Sequence, residues 1–102
     1  MDLDIRRSGI EIPEEARERL LRRLQFALGR IGRRVARVHV HLSDENGPRG
    51  GIDKRCTIVV RLVRGGEVIV EDRDADLNPL LDRAANRAGQ AVIRQMSRMR
   101  SH

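Results

Sequence analysis

Arg83, Arg87, Arg94 and Arg98 recur at spacings of four, seven and four. On a helix, at about 100° per residue, all four fall within roughly 60° of one another and form one stripe. A guanidinium is planar, permanently charged and fork-shaped, so a row of them suits bidentate capture of carboxylate or phosphate. From Arg83 to His102 the sequence contains no Asp or Glu, and Arg100 adds a fifth cation. With no carboxylate beside them along the chain, these groups are expected to meet an external anion, because a merely solvated helix face interleaves both signs.

A second basic group lies earlier. Arg19, Arg22, Arg23 and Arg30 cluster within about 100° of a helical projection, beside an apolar stripe, while Glu15 and Glu18 are confined to its N-terminal end. Phe26, the only aromatic residue, falls inside this cluster and off the stripe. Two readings stand open for it: stacking on a nucleobase, or resting on the aliphatic stems of its neighbours. A third set, Arg49, Lys54 and Arg55, belongs to a Gly-rich stretch that either follows an RNA groove or serves as a solvated hairpin connection.

The whole chain shares the bias. Twenty Arg and one Lys stand against 15 acids, for a net charge of +6 and a sequence pI of about 11.3. Such a balance points to a polyanionic partner. At 102 residues the chain is expected to form a single domain, 1–102, with one core. The lone Cys56 has no internal disulfide partner, and neither a transmembrane-length apolar run nor a signal sequence is present. These features predict a reduced, cytoplasmic protein with no membrane partner.

Other chemistries find little support. Gly47 to Lys54 lacks the Gly-Lys-Ser/Thr ending that a phosphate loop needs. Asp72, Asp74 and Asp76 alternate like the start of a calcium loop, but Leu77 and Arg83 occupy the positions that require Gly and Glu. His39 and His41 share a strand face without a third ligand, and Cys56 reads as a small core residue. We therefore expect no enzyme, no metal, no cofactor and no small-molecule substrate.

These side chains must be positioned by a small set of elements. Leu3 and Ile5 alternate with polar residues as in a strand with one wet face. Pro13, Glu14 and Glu15 open a helix whose stripe is Ala16, Leu20, Leu24, Ala27, Leu28 and Ile31, stopped by Gly29 and Gly32. Val38, Val40 and Leu42 predict a second strand, and Cys56, Ile58, Val60 and Leu62 a third. Gly65-Gly66 turns into a fourth strand carrying Val68 and Val70. After Asp76 a final helix is expected to bury Leu77, Leu81, Ala84, Ala88, Ala91, Val92 and Met99. The order βαβββα predicts an α+β fold with two helices on one face of a four-stranded sheet.

Together, this order, the helix start Ile12-Pro13-Glu14-Glu15-Ala16-Arg17-Glu18 and the run Asp76-Leu77-Asn78-Pro79-Leu80-Leu81-Asp82-Arg83 resemble the ribosome hibernation-promoting factors and ribosome-associated inhibitors. The resemblance implies binding to the small ribosomal subunit and its rRNA, occlusion of the mRNA and tRNA sites, and translation inhibition under stress. By position it implies rRNA contacts from Arg22, Arg23, Arg83, Arg87, Arg94, Arg98 and Arg100. It is to the short form of the family, since no dimerisation domain follows the last helix. Asn78-Pro79 stands where family members often carry Tyr-Ala. Two other functions are compatible with the residues: a structured-RNA binder independent of the ribosome, and a protein-interaction or dimerisation module using an open sheet face that displays Val59, Ile69, His39 and His41.

Overall fold

A computed structural model describes residues 2–45 and 53–100, apart from the side chains of Arg30 and Arg100. The elements are β1 (Asp2–Ser8), α1 (Glu14–Leu28), a 3-10 segment (Gly29–Arg34), β2 (Val35–Asp44), β3 (Lys54–Leu62), β4 (Glu67–Asp74) and α2 (Leu77–Arg100). The expected α+β order is present, and the four strands form one mixed sheet in the order β1-β2-β3-β4. The strand β1 runs parallel to β2 and is joined to it through α1, whereas β2, β3 and β4 form an antiparallel meander. This follows from connection length: a parallel pair requires a crossover, while Gly65 and Gly66, at φ 98° and 80°, close β3 onto β4 in a tight turn.

Strand alternation sets the core. Leu3, Val38, Val60 and Val68 lie in one row across the sheet, and Ile5, Val40, Ile58 and Val70 in another. Both rows face the helices. On α1, Ala16, Leu20, Leu24 and Leu28 meet this surface at helical spacing. The Pro13 carbonyl accepts from the Ala16 and Arg17 amides at 3.0 and 3.1 Å, and Gly29, at φ 41°, ends the helix with its N–H on the Gln25 carbonyl. On α2 the buried set is Leu80, Leu81, Ala84, Ala85, Ala88, Val92 and Met96. The expectation for Met99 is corrected. It lies in the last turn, 42 % exposed, against Gly65 of the hairpin, while Met96 closes the core one turn earlier.

The two helices approach closely at one point. A Cβ on Gly89 would fall 2.8 Å from the Ala27 carbonyl oxygen and 2.9 Å from its Cβ, so only glycine permits this separation without a shift of backbone.

Candidate nucleic-acid interface

On α1, Arg19, Arg22 and Arg23 project toward α2, where Asp82 receives two of them. Arg19 donates from Nε and Nη2 to the two Asp82 oxygens at 2.9 and 2.7 Å, and Arg23 Nε lies 3.2 Å from Oδ1. These bonds, with Arg19 foremost, hold the Asp82 carboxyl below its usual range, and Asp82 in turn raises the Arg19 pKa. Arg22, exposed beside them, makes no hydrogen bond or ion pair to any described residue. Phe26 lines one hollow with Arg19, Arg22 and Arg23 and is 82 % exposed. At that exposure the ring is not sheltered by its neighbours' stems.

The α2 stripe turns the other way, toward β4. There the expectation that its arginines lack carboxylate partners is corrected for two of the four. Arg83 engages Asp72 from Nε and Nη2 at 2.7 and 3.1 Å, Asp74 from Nη1 at 3.1 Å, and the Arg73 carbonyl from Nη2 at 2.8 Å. Chiefly through Arg83, the Asp72 carboxyl is held at about 2. The Asp74 carboxyl is also lowered, first by the Asp76 N–H and then by Arg83, and the Arg83 guanidinium is raised in return. Of the alternating acids before α2, Asp72 and Asp74 are therefore a clasp for Arg83, while the Asp76 N–H donates to Asp74. Arg87 donates to the Glu71 carbonyl at 2.7 Å and sits 3.2 Å from Asp72 Oδ2. Farther along, Arg98 bonds only Gln95 Oε1, at 3.0 Å, and Arg94 has no partner among the described residues. Between the two arginine groups the outer ridge of α2 carries uncharged, exposed Asn86 and Gln90.

A further basic convergence was not anticipated from sequence. Arg33 and Arg34 of the 3-10 segment and Arg64 of the β3–β4 hairpin line one hollow of about 340 Å³ with Val63, Met96 and Met99. The Val63 N–H donates to the Arg34 carbonyl at 2.8 Å and fastens the two segments together. These arginines lie 30 positions apart in sequence, so no local window groups them; the only signal was the Arg-Arg pair itself.

The opposite face of the sheet has a different character. Arg37 pairs with Asp2, Arg6 with Asp4, and Arg61 with Glu67, at 3.8, 3.4 and 3.8 Å. Arg55 lies 2.7 Å from Glu45 and 3.4 Å from Glu71, and Arg73 reaches the same two acids at 3.8 and 3.9 Å. Five arginines thus face five carboxylates, and the net positive charge resides elsewhere. His39 approaches Asp4 at 3.4 Å, His41 bonds Ser8 at 3.1 Å, and exposed Ile69 lies in register with half-buried Val59. Ion pairs border this apolar strip on both sides. Cys56 is fully buried, and burial pushes its thiol up to about 12, as befits a core residue.

The loop expectation is corrected at two of its three positions. Lys54 and Arg55 belong to β3 rather than to a flexible loop, because the meander continues pairing to Asp44↔Lys54. Lys54 Nζ donates to the Ala75 carbonyl at 3.0 Å and lies 3.6 Å from buried Asp53. Arg49, and the side chains of Arg30 and Arg100, lie outside the described residues.

No curated protein matches the chain. Among solved structures, a ribosomal subunit interface protein from Coxiella burnetii superposes with a TM-score of 0.77 over 100 % of both chains at 15 % identity, a likeness of fold. The Protein Y N-terminal domain of Thermus thermophilus superposes with a TM-score of 0.70 at 28 % identity, covering 92 % of this chain and 98 % of that one. The sequence pattern of one family spans residues 3–100, both arginine-bearing helices included. On that match the chain belongs to the sigma 54 modulation protein / S30EA ribosomal protein family, the hibernation-factor family that its sequence resembles.

Proposed function

We propose that residues 1–102 act as a ribosome-binding domain that lays its helix side on small-subunit rRNA, occupies the mRNA and tRNA sites, and silences idle ribosomes in the cytoplasm. The observation that carries this reading is the segregation of charge. Every arginine of the open sheet face has a carboxylate within 4 Å, whereas among the described residues Arg22 and Arg94 have none and Arg98 has only a neutral amide. A phosphate approaching the sheet must displace an existing partner; one approaching the helices finds free guanidiniums. Family membership supports a ribosomal partner for the domain. Arg22, Arg94 and Arg98 supply the most available contacts. Arg19, Arg23 and Arg87 flank them in pre-set orientations, Arg83 holds the stripe against β4, and Arg100, Arg30 and Arg49 extend the basic sequence.

Inhibition on this reading requires occupancy alone and no reaction. Co-sedimentation with purified small subunits on sucrose gradients tests it. The protein should travel with vacant subunits and be displaced when they are pre-loaded with mRNA and initiator tRNA, because ligands sharing a site lower each other's affinity reciprocally. Undiminished binding in the presence of tRNA refutes the occlusion mechanism. Binding to free structured RNA with none to subunits assigns the surface to a ribosome-independent RNA binder instead.

A further inference from the structure

The most exposed large apolar side chain among the described residues is also the only aromatic one. Phe26 presents 82 % of its surface to solvent from the outer side of α1, three and four residues after Arg23 and Arg22 and seven after Arg19. At helical spacing all three arginines are its neighbours, and together with the ring they line an open hollow of about 410 Å³. Asp82 fixes Arg19 and Arg23 from the α2 side, so two walls of the hollow are oriented before anything binds. Arg22 remains free. A bare aromatic face ringed by three guanidiniums and one already paired carboxylate matches a planar group attached to phosphates.

We propose that Phe26 is a stacking platform for a single unpaired nucleobase of the bound RNA, with Arg22 receiving an adjacent phosphate and Arg19 and Arg23 framing the hollow. This deepens the function proposed above and rests on it, because it names the part of the RNA that the α1 flank takes. Bases within an A-form duplex are stacked on one another and closed to a side chain, whereas a looped-out or single-stranded base offers its π-face regardless of identity. The platform therefore directs α1 to an unpaired segment, while the α2 stripe needs only phosphates.

The probes are a labelled single-stranded oligoadenylate and a blunt RNA duplex of equal length, titrated by fluorescence anisotropy over a range of salt. Phe26→Ala should weaken single-strand binding by about fivefold to a hundredfold while leaving duplex binding unchanged. Since no charge is removed, the salt dependence should keep its slope. Phe26→Tyr should retain the affinity. Phe26→Trp introduces the only tryptophan of the chain, and its emission should be quenched by the single strand but not by the duplex. Circular dichroism checks that the helix persists. Equal single-strand affinity of Phe26→Ala and wild type overturns the platform, as does an equal loss on both RNAs. A loss on ribosomal subunits with none on the oligonucleotide also overturns it and makes Phe26 a protein anchor. RNA binding indifferent to Phe26 removes the platform alone; the proposed function falls only if the wild-type protein also fails to co-sediment with small subunits.

Discussion

Replacing Arg83 by glutamine separates two roles that a basic stripe confounds. Arg83 makes four hydrogen bonds that join α2 to the end of β4, and Asp72, its main partner, has a side chain only 16 % exposed. A carboxyl at about 2 instead of 3.8 corresponds to roughly 2–3 kcal/mol, at ~1.4 kcal/mol per pH unit, shared by Arg83, the Arg73 N–H and Arg87 with Arg83 foremost. The guanidinium is itself 44 % exposed, and solvent screening discounts this to about 1 kcal/mol. The sign follows from the direction of the shift. A carboxyl whose pKa is depressed by folding stabilises the native state above its unfolded value and loses that contribution as pH falls toward 2. Arg83→Gln should therefore destabilise the protein by about 1 kcal/mol near neutrality, or about 4–8 °C in melting temperature for a domain this small. The difference from wild type should shrink as pH falls below about 4. Urea unfolding followed by far-ultraviolet circular dichroism, with pH as the variable, measures this. In parallel, the log–log salt slope for rRNA binding should change by well under one unit, since the charge is already neutralised by two carboxylates. A drop of about one full unit with unaltered stability would refute the clasp and return Arg83 to the phosphate contacts.

Two further outcomes follow from the same geometry. Substituting Arg22, Arg94 and Arg98 together by glutamine should flatten the salt dependence of rRNA binding by about 2–3 units, whereas substituting Arg37, Arg61 and Arg73 on the neutralised sheet face should change it far less; equal losses in filter-binding titrations would mean that charge acts diffusely. Gly89→Leu should cost about 1–3 kcal/mol in urea unfolding despite its better helix propensity, because its Cβ meets the Ala27 backbone, and Gln90→Leu on the exposed ridge should be close to neutral; a stable Gly89→Leu protein would show that the helices separate freely.

Much of the architecture was legible because it is written in short periods. Alternation at Val38, Val40 and Leu42 and at Cys56, Ile58 and Val60, Pro13 before two acids, and the glycine pair at 65 and 66 each report a local backbone preference, and each element formed in its expected order, although α1 ends at Leu28 before Ile31 and β3 begins earlier, at Lys54. The arginine stripe was legible for the same reason, since helical spacing is a local property. The exchange of Met99 for Met96 was not, because both satisfy the helical period and the choice depends on where the sheet beneath the helix ends.

Which arginines lack a carboxylate depends on folding. An ion pair forms by distance, and distance in a fold is unrelated to separation along the chain. Asp72 and Asp74 reach Arg83 from a neighbouring strand, 11 and 9 residues back, and Asp82 reaches Arg19 from the other helix, 63 residues on. A scan for acids within one segment finds none of them. Strand register likewise set Asp2 against Arg37 and Glu67 against Arg61 on the open face. Local periods specify two helices on a four-stranded sheet, and composition gives more cations than carboxylates; packing sets on which side the unpaired ones stand, because neutralisation depends on contacts that only the folded chain makes.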